Sequence, residues 1–161
     1  MILRHVRAED IEYFSAAHAD EDVSRYVGGP IGREDAWRRA MTGAGFWEVL
    51  GIGVWAIERR EDHRTIGHIG FFDFQRDIEP TMAGEPEMGW IFSKEAQGQG
   101  LATEAGKAAL DWFDATFPGV SIPAIISLEN TPSMRLAERL GFVRQADGNY
   151  RGEQIAMFRR G

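Results

Sequence analysis

The stretch from Glu87 to Thr103, EMGWIFSKEAQGQGLAT, holds the residues of this chain whose types and spacing come closest to chemistry. Gly98 and Gly100 alternate with Gln97 and Gln99 directly before a segment of helical periodicity that opens at Leu101. Glycine lets successive backbone N–H groups converge, and the first turn of a helix leaves such groups unpaired at the positive end of the dipole. A loop of this kind favours an anion, and a pyrophosphate is the natural ligand. A dinucleotide fingerprint would need a third glycine where Thr103 stands, and a Walker-type loop would need Gly-Lys-Ser/Thr at its end. Neither matches. On spacing alone, a glycine-rich connection with no ligand stays an open alternative.

The elements that must position this loop follow from periodicity and turn chemistry. Residues 1–6 read as a strand, and Glu9 and Asp10 suit the first turn of a helix that runs to about Ala19. Gly28-Gly29-Pro30 breaks the chain, and a second helix is expected from Arg33 to Met41, ended by Gly43 to Gly45. Gly53 to Glu58 and Thr65 to Phe74 are β-rich on either side of the polar turn Glu61 to Arg64, which predicts an antiparallel hairpin. After a soft loop from Arg76 to Pro86, Glu87 to Phe92 reads as a third strand. Leu101, Ala105, Ala108, Trp112 and Ala115, widened by Ala109, Leu110 and Phe113, form the clearest helical stripe, stopped by Pro118-Gly119. Gly106 within it suggests close packing against a neighbouring backbone. Ile122 to Leu128 is an apolar run of the kind buried on both faces. Thr131 is then expected as an N-cap with Pro132 at the first helical position, and Gly141 as the left-handed end of that helix. Phe142 to Gln145 and Gln154 to Arg159 read as the last strands, around a turn at Asp147-Gly148.

Composition excludes several classes. The 161 residues contain no cysteine, which removes disulfides, a thiolate nucleophile and Cys-based metal sites, and fits a reducing cytoplasm. The formal charge is −7, with no basic patch, so nucleic acid is not an expected partner. No apolar run is long enough to span a bilayer, and the N-terminus lacks the pattern of a signal peptide. Histidines at 5, 18, 63 and 68 show no ligand spacing, so no metal is expected. One domain over 1–161 is the expected organisation, because no repeat or linker-like composition divides the chain.

Three motifs in order carry a family resemblance. Gln97-Gly98-Gln99-Gly100-Leu101-Ala102 resembles the acetyl-CoA loop of the GNAT acetyltransferases, [Arg/Gln]-x-x-Gly-x-[Gly/Ala]. Glu87-Met88-Gly89-Trp90 is similar to the Glu-x-Gly-Tyr/Trp strand of the Rim-type branch, the ribosomal-protein N-terminal acetyltransferases. Asn130-Thr131-Pro132-Ser133, with Leu140-Gly141-Phe142 behind it, resembles that branch's Asn-x-x-Ser helix and its exit. The resemblance implies an α/β (α+β) fold with a mostly antiparallel sheet of six to seven strands flanked by helices. It also implies direct transfer of acetyl from acetyl-CoA to a primary amine, either a protein N-terminus or a small molecule, with no metal.

Residue by residue, the resemblance implies that main-chain groups of Ile91, Phe92 and Ser93 hold the pantetheine arm. Gln97, Gly98, Gln99, Gly100, Leu101, Ala102 and Thr103 would take the pyrophosphate, and Asn130 the other side of the arm. Glu87 is the expected base, with His68 second and Asp73 weaker. The tyrosine that many members carry seven residues after the Asn is Ala137 here. Tyr150, near an expected turn, is the only later tyrosine, so Ser133 is the expected acid. Trp47, Trp55 and Trp90 with Phe71, Phe72 and Phe74 either line an acceptor cleft or form core. A homodimer is frequent in the family. The rival classes are a non-catalytic acyl-CoA-binding sensor and a nucleotide- or phosphate-binding protein using the same loop.

Overall fold

The structure, a computed structural model, describes residues 1–161. Strand β1 (Ile2–His5) leads through a 3-10 turn into α1 (Ile11–Ala19), the single-turn α2 (Glu21–Ser24) and α3 (Arg33–Leu50). Helix α3 does not stop at Gly43 as expected. A Cβ at Gly43 would lie 2.9 Å from the Val54 side chain, so the glycine is a packing contact inside an eighteen-residue helix that ends only at Gly51. Glycine cost the helix propensity, and close approach to the sheet outweighed it.

The expected hairpin is β2 (Val54–Glu58) with β3 (Thr65–Phe72). The soft loop contains the two-residue β4 (Ile78–Glu79), and β5 (Glu87–Phe92) follows at its expected bounds. Then come α4 (Leu101–Thr116), β6 (Ile122–Ser127), α5 (Thr131–Arg139), β7 (Val143–Arg144), β8 (Gly148–Tyr150) and β9 (Glu153–Arg160). Asp147-Gly148 is therefore not the final turn. Gly148 begins β8, and the reversal falls at Arg151 and Gly152, both with positive φ.

All ladders are antiparallel, in a four-stranded sheet β1-β2-β3-β5 and a five-stranded sheet β4-β8-β9-β6, with β7 also on β9. Six of the seven expected strands have four or more residues, the seventh, expected over 142–145, is the two-residue β7, and β4 and β8 are additions. The sheets meet at β5 and β6, which have no ladder between them. This parting is the feature that matters for function.

The core lies between the first sheet and α4. Ile57, Ile69, Phe71 and Met88 pack on Ala105, Ala109, Leu110 and Phe113, and Phe158 and Ile122 continue it into the second sheet. Each large side chain buried there contributes about 2 kcal/mol. Gly106 meets Leu140 of the α5 end, where a Cβ would come within 2.6 Å, so the expected close approach is to a side chain and not to backbone. Ala108 and Ala115 point to solvent, which narrows the buried stripe to 105, 106, 109, 110 and 113. Trp47, Trp55, Trp112 and Phe71 pack mostly edge-on, and Trp47 donates to the Val54 carbonyl at 3.2 Å. They are core, not cleft. No helix is long and apolar enough to cross a membrane.

Candidate active site

The loop before α4 has the backbone its glycines permit. Gly98 and Gly100 have φ of 75° and 78°, a region open to glycine at little cost. The N–H groups of Gly98, Gln99, Gly100, Leu101 and Ala102 donate to no acceptor within the protein, and bonding resumes with Thr103 and Glu104, both to the Gly100 carbonyl at 3.1 Å. Five consecutive free donors at a helix start make an anion site. Gln97 and Thr103 do not add theirs, because the Gln97 N–H is held by the Lys94 carbonyl. The Gln97 side chain instead donates to the Phe92 carbonyl at 3.3 Å, tying the loop to the end of β5.

The register of β3 on β5 decides which main-chain groups face the parting. Ser93 N–H donates to the Ile66 carbonyl at 2.9 Å, and Ile91 lies opposite His68. Direction alternates along an antiparallel ladder, so Ile91 and Ser93 face β3, whereas Trp90 and Phe92 face β6. Of the three expected residues only Phe92 offers its main chain to that edge, and Trp90 is its neighbour there.

Across the gap, Asn130, not Thr131, is the N-cap of α5, and its Oδ1 accepts from Ser133 N–H at 3.2 Å. The Asn130 side-chain NH2 donates to nothing in the protein and is free for a ligand. The Ser133 hydroxyl accepts from Trp90 Nε1 at 3.3 Å, which leaves its own proton available to donate. Ala137 is fully buried in the core, so the position that often carries a tyrosine is here committed to packing.

A second cluster lies on the opposite face of β5. Glu87, only 5% exposed, is paired with Arg76 through Nε at 2.7 Å and NH2 at 3.3 Å. Arg76 also donates to the Tyr150 hydroxyl at 3.1 Å, and its guanidinium lies 4.8 and 5.2 Å from the ring centres of Phe74 and Tyr150. Burial lifts the Glu87 carboxyl above the usual range, with the Arg76 cation pulling it back. Asp73 accepts Gly84 N–H at 3.0 Å and holds the start of the loop together. His68 faces Tyr13, whose hydroxyl is 3.4 Å from Nδ1 and donates to the Ile91 carbonyl at 3.3 Å. Desolvation first, then the neighbouring His18, pushes His68 down to about 3, so this ring is neutral and a weak base near pH 7. A cavity between α1, the β2–β3 turn and residues 93–95 is lined largely by charged residues, including the Arg4–Asp10 and Arg4–Glu58 pairs, and none of residues 97–103 lines it.

A model of the acetyltransferase (GNAT) domain family matches residues 1–143. The chain belongs to the GNAT acetyltransferase family. The uncharacterized N-acetyltransferase YoaA of Bacillus subtilis (strain 168) is 28% identical over 147 residues, 90% of this chain and 80% of that protein. A solved structure assigned to the GnaT family of acetyltransferases, from Bordetella pertussis, superposes with a TM-score of 0.85 at 28% identity, covering 99% of this chain and 94% of the other. Spermidine N-acetyltransferase of Vibrio cholerae, solved with CoA and spermine, shares the fold at 18% identity with a TM-score of 0.75, covering 99% and 94% of the two chains.

As a GNAT enzyme the chain is an acyl-CoA-dependent acetyltransferase, and its loop fits such a donor: five free amides and two left-handed glycines suit a diphosphate. The family resemblance named the loop, Asn130 and Ser133 as candidates. It did not find Trp90 as the partner of Ser133, Tyr13 under Ile91, or Arg139, whose Nε donates to Thr103 Oγ1 at 3.4 Å beside the free amides. Arg76 was also missed. It stands eleven residues before Glu87 in an irregular loop, where no periodicity links the two.

Proposed function

We propose that this GNAT enzyme, of the Rim-type branch, moves an acetyl group from acetyl-CoA directly to a primary amine on a protein N-terminus or a small molecule. The observation that carries the proposal is the run of five unpaired amides from Gly98 to Ala102 beside the parted edge of β5. Those amides hold the pyrophosphate, the main-chain groups of Trp90 and Phe92 and the Asn130 amide hold the arm, and the donor supplies an acyl thioester.

The chain's own residues then manage protons. An amine is mostly protonated at neutral pH and must lose a proton before it can attack. Glu87 accepts that proton, directly or through water; desolvation makes its carboxylate more basic than an exposed one. As the nitrogen–carbon bond forms and the carbon–sulfur bond breaks, the attacking nitrogen gives up its second proton to water, and the Ser133 hydroxyl hydrogen-bonds the departing sulfur and passes it a proton while taking one from water. Trp90 fixes its oxygen by donating to it. No enzyme acyl intermediate is needed, and no cysteine exists to form one. The acceptor meets the Glu87 face, where Phe46, Phe72 and Phe74 form an aromatic wall with ring centres 4.5 and 5.3 Å apart.

The test is a screen of amines, including polyamines and alanine-initiated peptides, for release of free thiol from acetyl-CoA. Turnover with at least one amine class, with the acetylated product seen by mass spectrometry, is the expected result. Tight CoA binding without acetylation of any amine would overturn the transfer reading.

A further inference from the structure

Arg76 is more than a surface partner for Glu87. The carboxylate sits 5% exposed at the start of β5, where burial favours its neutral, protonated form. A protonated Glu87 could not accept a proton from an amine. Arg76 reaches it from the β3–β5 connection and contacts both carboxylate oxygens, at 2.7 and 3.3 Å. The guanidinium is itself held in place: Tyr150, on β8 of the other sheet, accepts a hydrogen bond at 3.1 Å, and Phe74 and Tyr150 lie against it. Three separate segments thus fix one cation against one buried carboxylate.

We propose that Arg76 is the positioning residue that keeps Glu87 ionised, and so able to accept a proton, at neutral pH. This rests on the reading of Glu87 as the base. The other charged groups near Glu87 do not replace Arg76. Asp73 is an anion and opposes ionisation, and Glu85 lies at the same small cavity but is paired with Arg159. The Tyr150 hydroxyl contacts Arg76 and not the carboxylate. Removing the guanidinium therefore leaves desolvation and the Asp73 charge unopposed, and both act in the same direction.

The experiment is a pH titration of the Glu87 carboxyl by 13C NMR in protein labelled on glutamate side chains, with Glu87→Gln assigning the signal. Arg76→Gln should raise the midpoint by one pH unit or more relative to wild type, and Arg76→Lys, which keeps a charge but loses the fork, should fall between them. Thermal melting and acetyl-CoA affinity establish that each variant is folded, and Arg76→Lys carries the test if Arg76→Gln is not. A midpoint unchanged in both variants overturns the inference.

A kinetic arm, with spermidine and an alanine-initiated peptide as probes, separates the two layers of the claim. If Arg76→Gln recovers turnover as pH rises towards 9, ionisation of Glu87 is what the arginine supplies; loss by the same factor at every pH indicates a merely structural role and overturns the inference. If Glu87→Gln keeps wild-type turnover and pH profile, the base assignment itself falls, even where the NMR shift is seen.

Discussion

The donor loop and the Glu87 cluster are built on opposite plans. Between Gly98 and Ala102 the protein leaves main-chain donors without partners, and the side chains there are exposed or half-buried. Around Glu87 the polar side chains hold one another, Arg76 to Glu87 and to Tyr150, with Tyr13 and His68 paired further along the same face. A site made of backbone amides depends on chain conformation and tolerates changes of side chain. A site made of interlocked side chains depends on each identity. The difference predicts where substitution should abolish chemistry and where it should weaken binding.

The largest effect is expected at Glu87. Glu87→Gln keeps the volume and removes the base, so kcat should fall by about 10²–10³. Acetyl-CoA affinity should stay within about twofold, because the amide loop is untouched. Stopped-time thiol release and calorimetry measure the two quantities. A Glu87→Gln enzyme with normal kcat would place the base elsewhere on that face.

Gly100→Trp is the matching change on the donor side. A Cβ there meets nothing within 4 Å, but φ of 78° disfavours any residue with one, and a large ring would cover the free amides. Acetyl-CoA dissociation by calorimetry should weaken at least about tenfold, equivalent to about 1.4 kcal/mol. The backbone strain at that φ should also lower the melting temperature without ligand by a few degrees, and the affinity is therefore measured well below it. Unchanged affinity would remove the loop as the phosphate site and with it the donor half of the comparison.

How much of this was legible in the sequence follows the same division. The loop could be read because its requirement is local: left-handed residues and a helix start within six positions. Asn130 and Ser133 were legible too, being three apart on one helix turn, although the cap proved to be Asn130, whose oxygen reaches Ser133 N–H. Arg76, Tyr13 and Tyr150 join through tertiary contact across 11 to 78 positions, and no local pattern encodes that. The misread elements have equally physical causes. Gly43 looked like a helix end because propensity is local, but packing against Val54 is not. Asp147-Gly148 looked like a turn, yet Gly148 lies buried in β8 against Met157, and the turn falls at Arg151-Gly152.

Acid should act on the interlocked face before the loop. His18 is lowered to about 4 and His68 to about 3, both chiefly by desolvation, against an unfolded value near 6.5. Above pH 6.5 both states are neutral and these groups cost nothing. As pH falls from 6.5 towards 4, the unfolded chain binds protons that the native rings refuse, and stability is lost at up to about 1.4 kcal/mol per pH unit for each ring. Between pH 6.5 and 5 the loss should be about 3 kcal/mol, roughly half from each ring, because the native rings stay neutral over that range. Urea denaturation at the two pH values measures it, and His68→Phe should reduce the slope. Equal stability at both would mean that the rings accept protons where they sit.

The smallest effect is expected where the comparison narrows to one hydrogen bond. Ser133 lies on the donor side but acts through a side chain, held by Trp90 Nε1 at 3.3 Å. Its task is light. A thiolate leaves readily, with a conjugate-acid pKa near 8.5, so solvent can supply much of the protonation that Ser133 supplies. Ser133→Ala should therefore lower kcat by about tenfold or less, well short of the effect at Glu87. Trp90→Phe keeps the hydroxyl and removes only the bond that orients it, a loss of about 1 kcal/mol at most, or roughly fivefold in kcat. The two changes share one interaction, so the double variant should be no slower than Ser133→Ala alone once the packing effect of Phe is subtracted. Additive losses in the double variant would show that Trp90 contributes through the main chain it presents to the β6 edge. In that case its indole would not be holding Ser133.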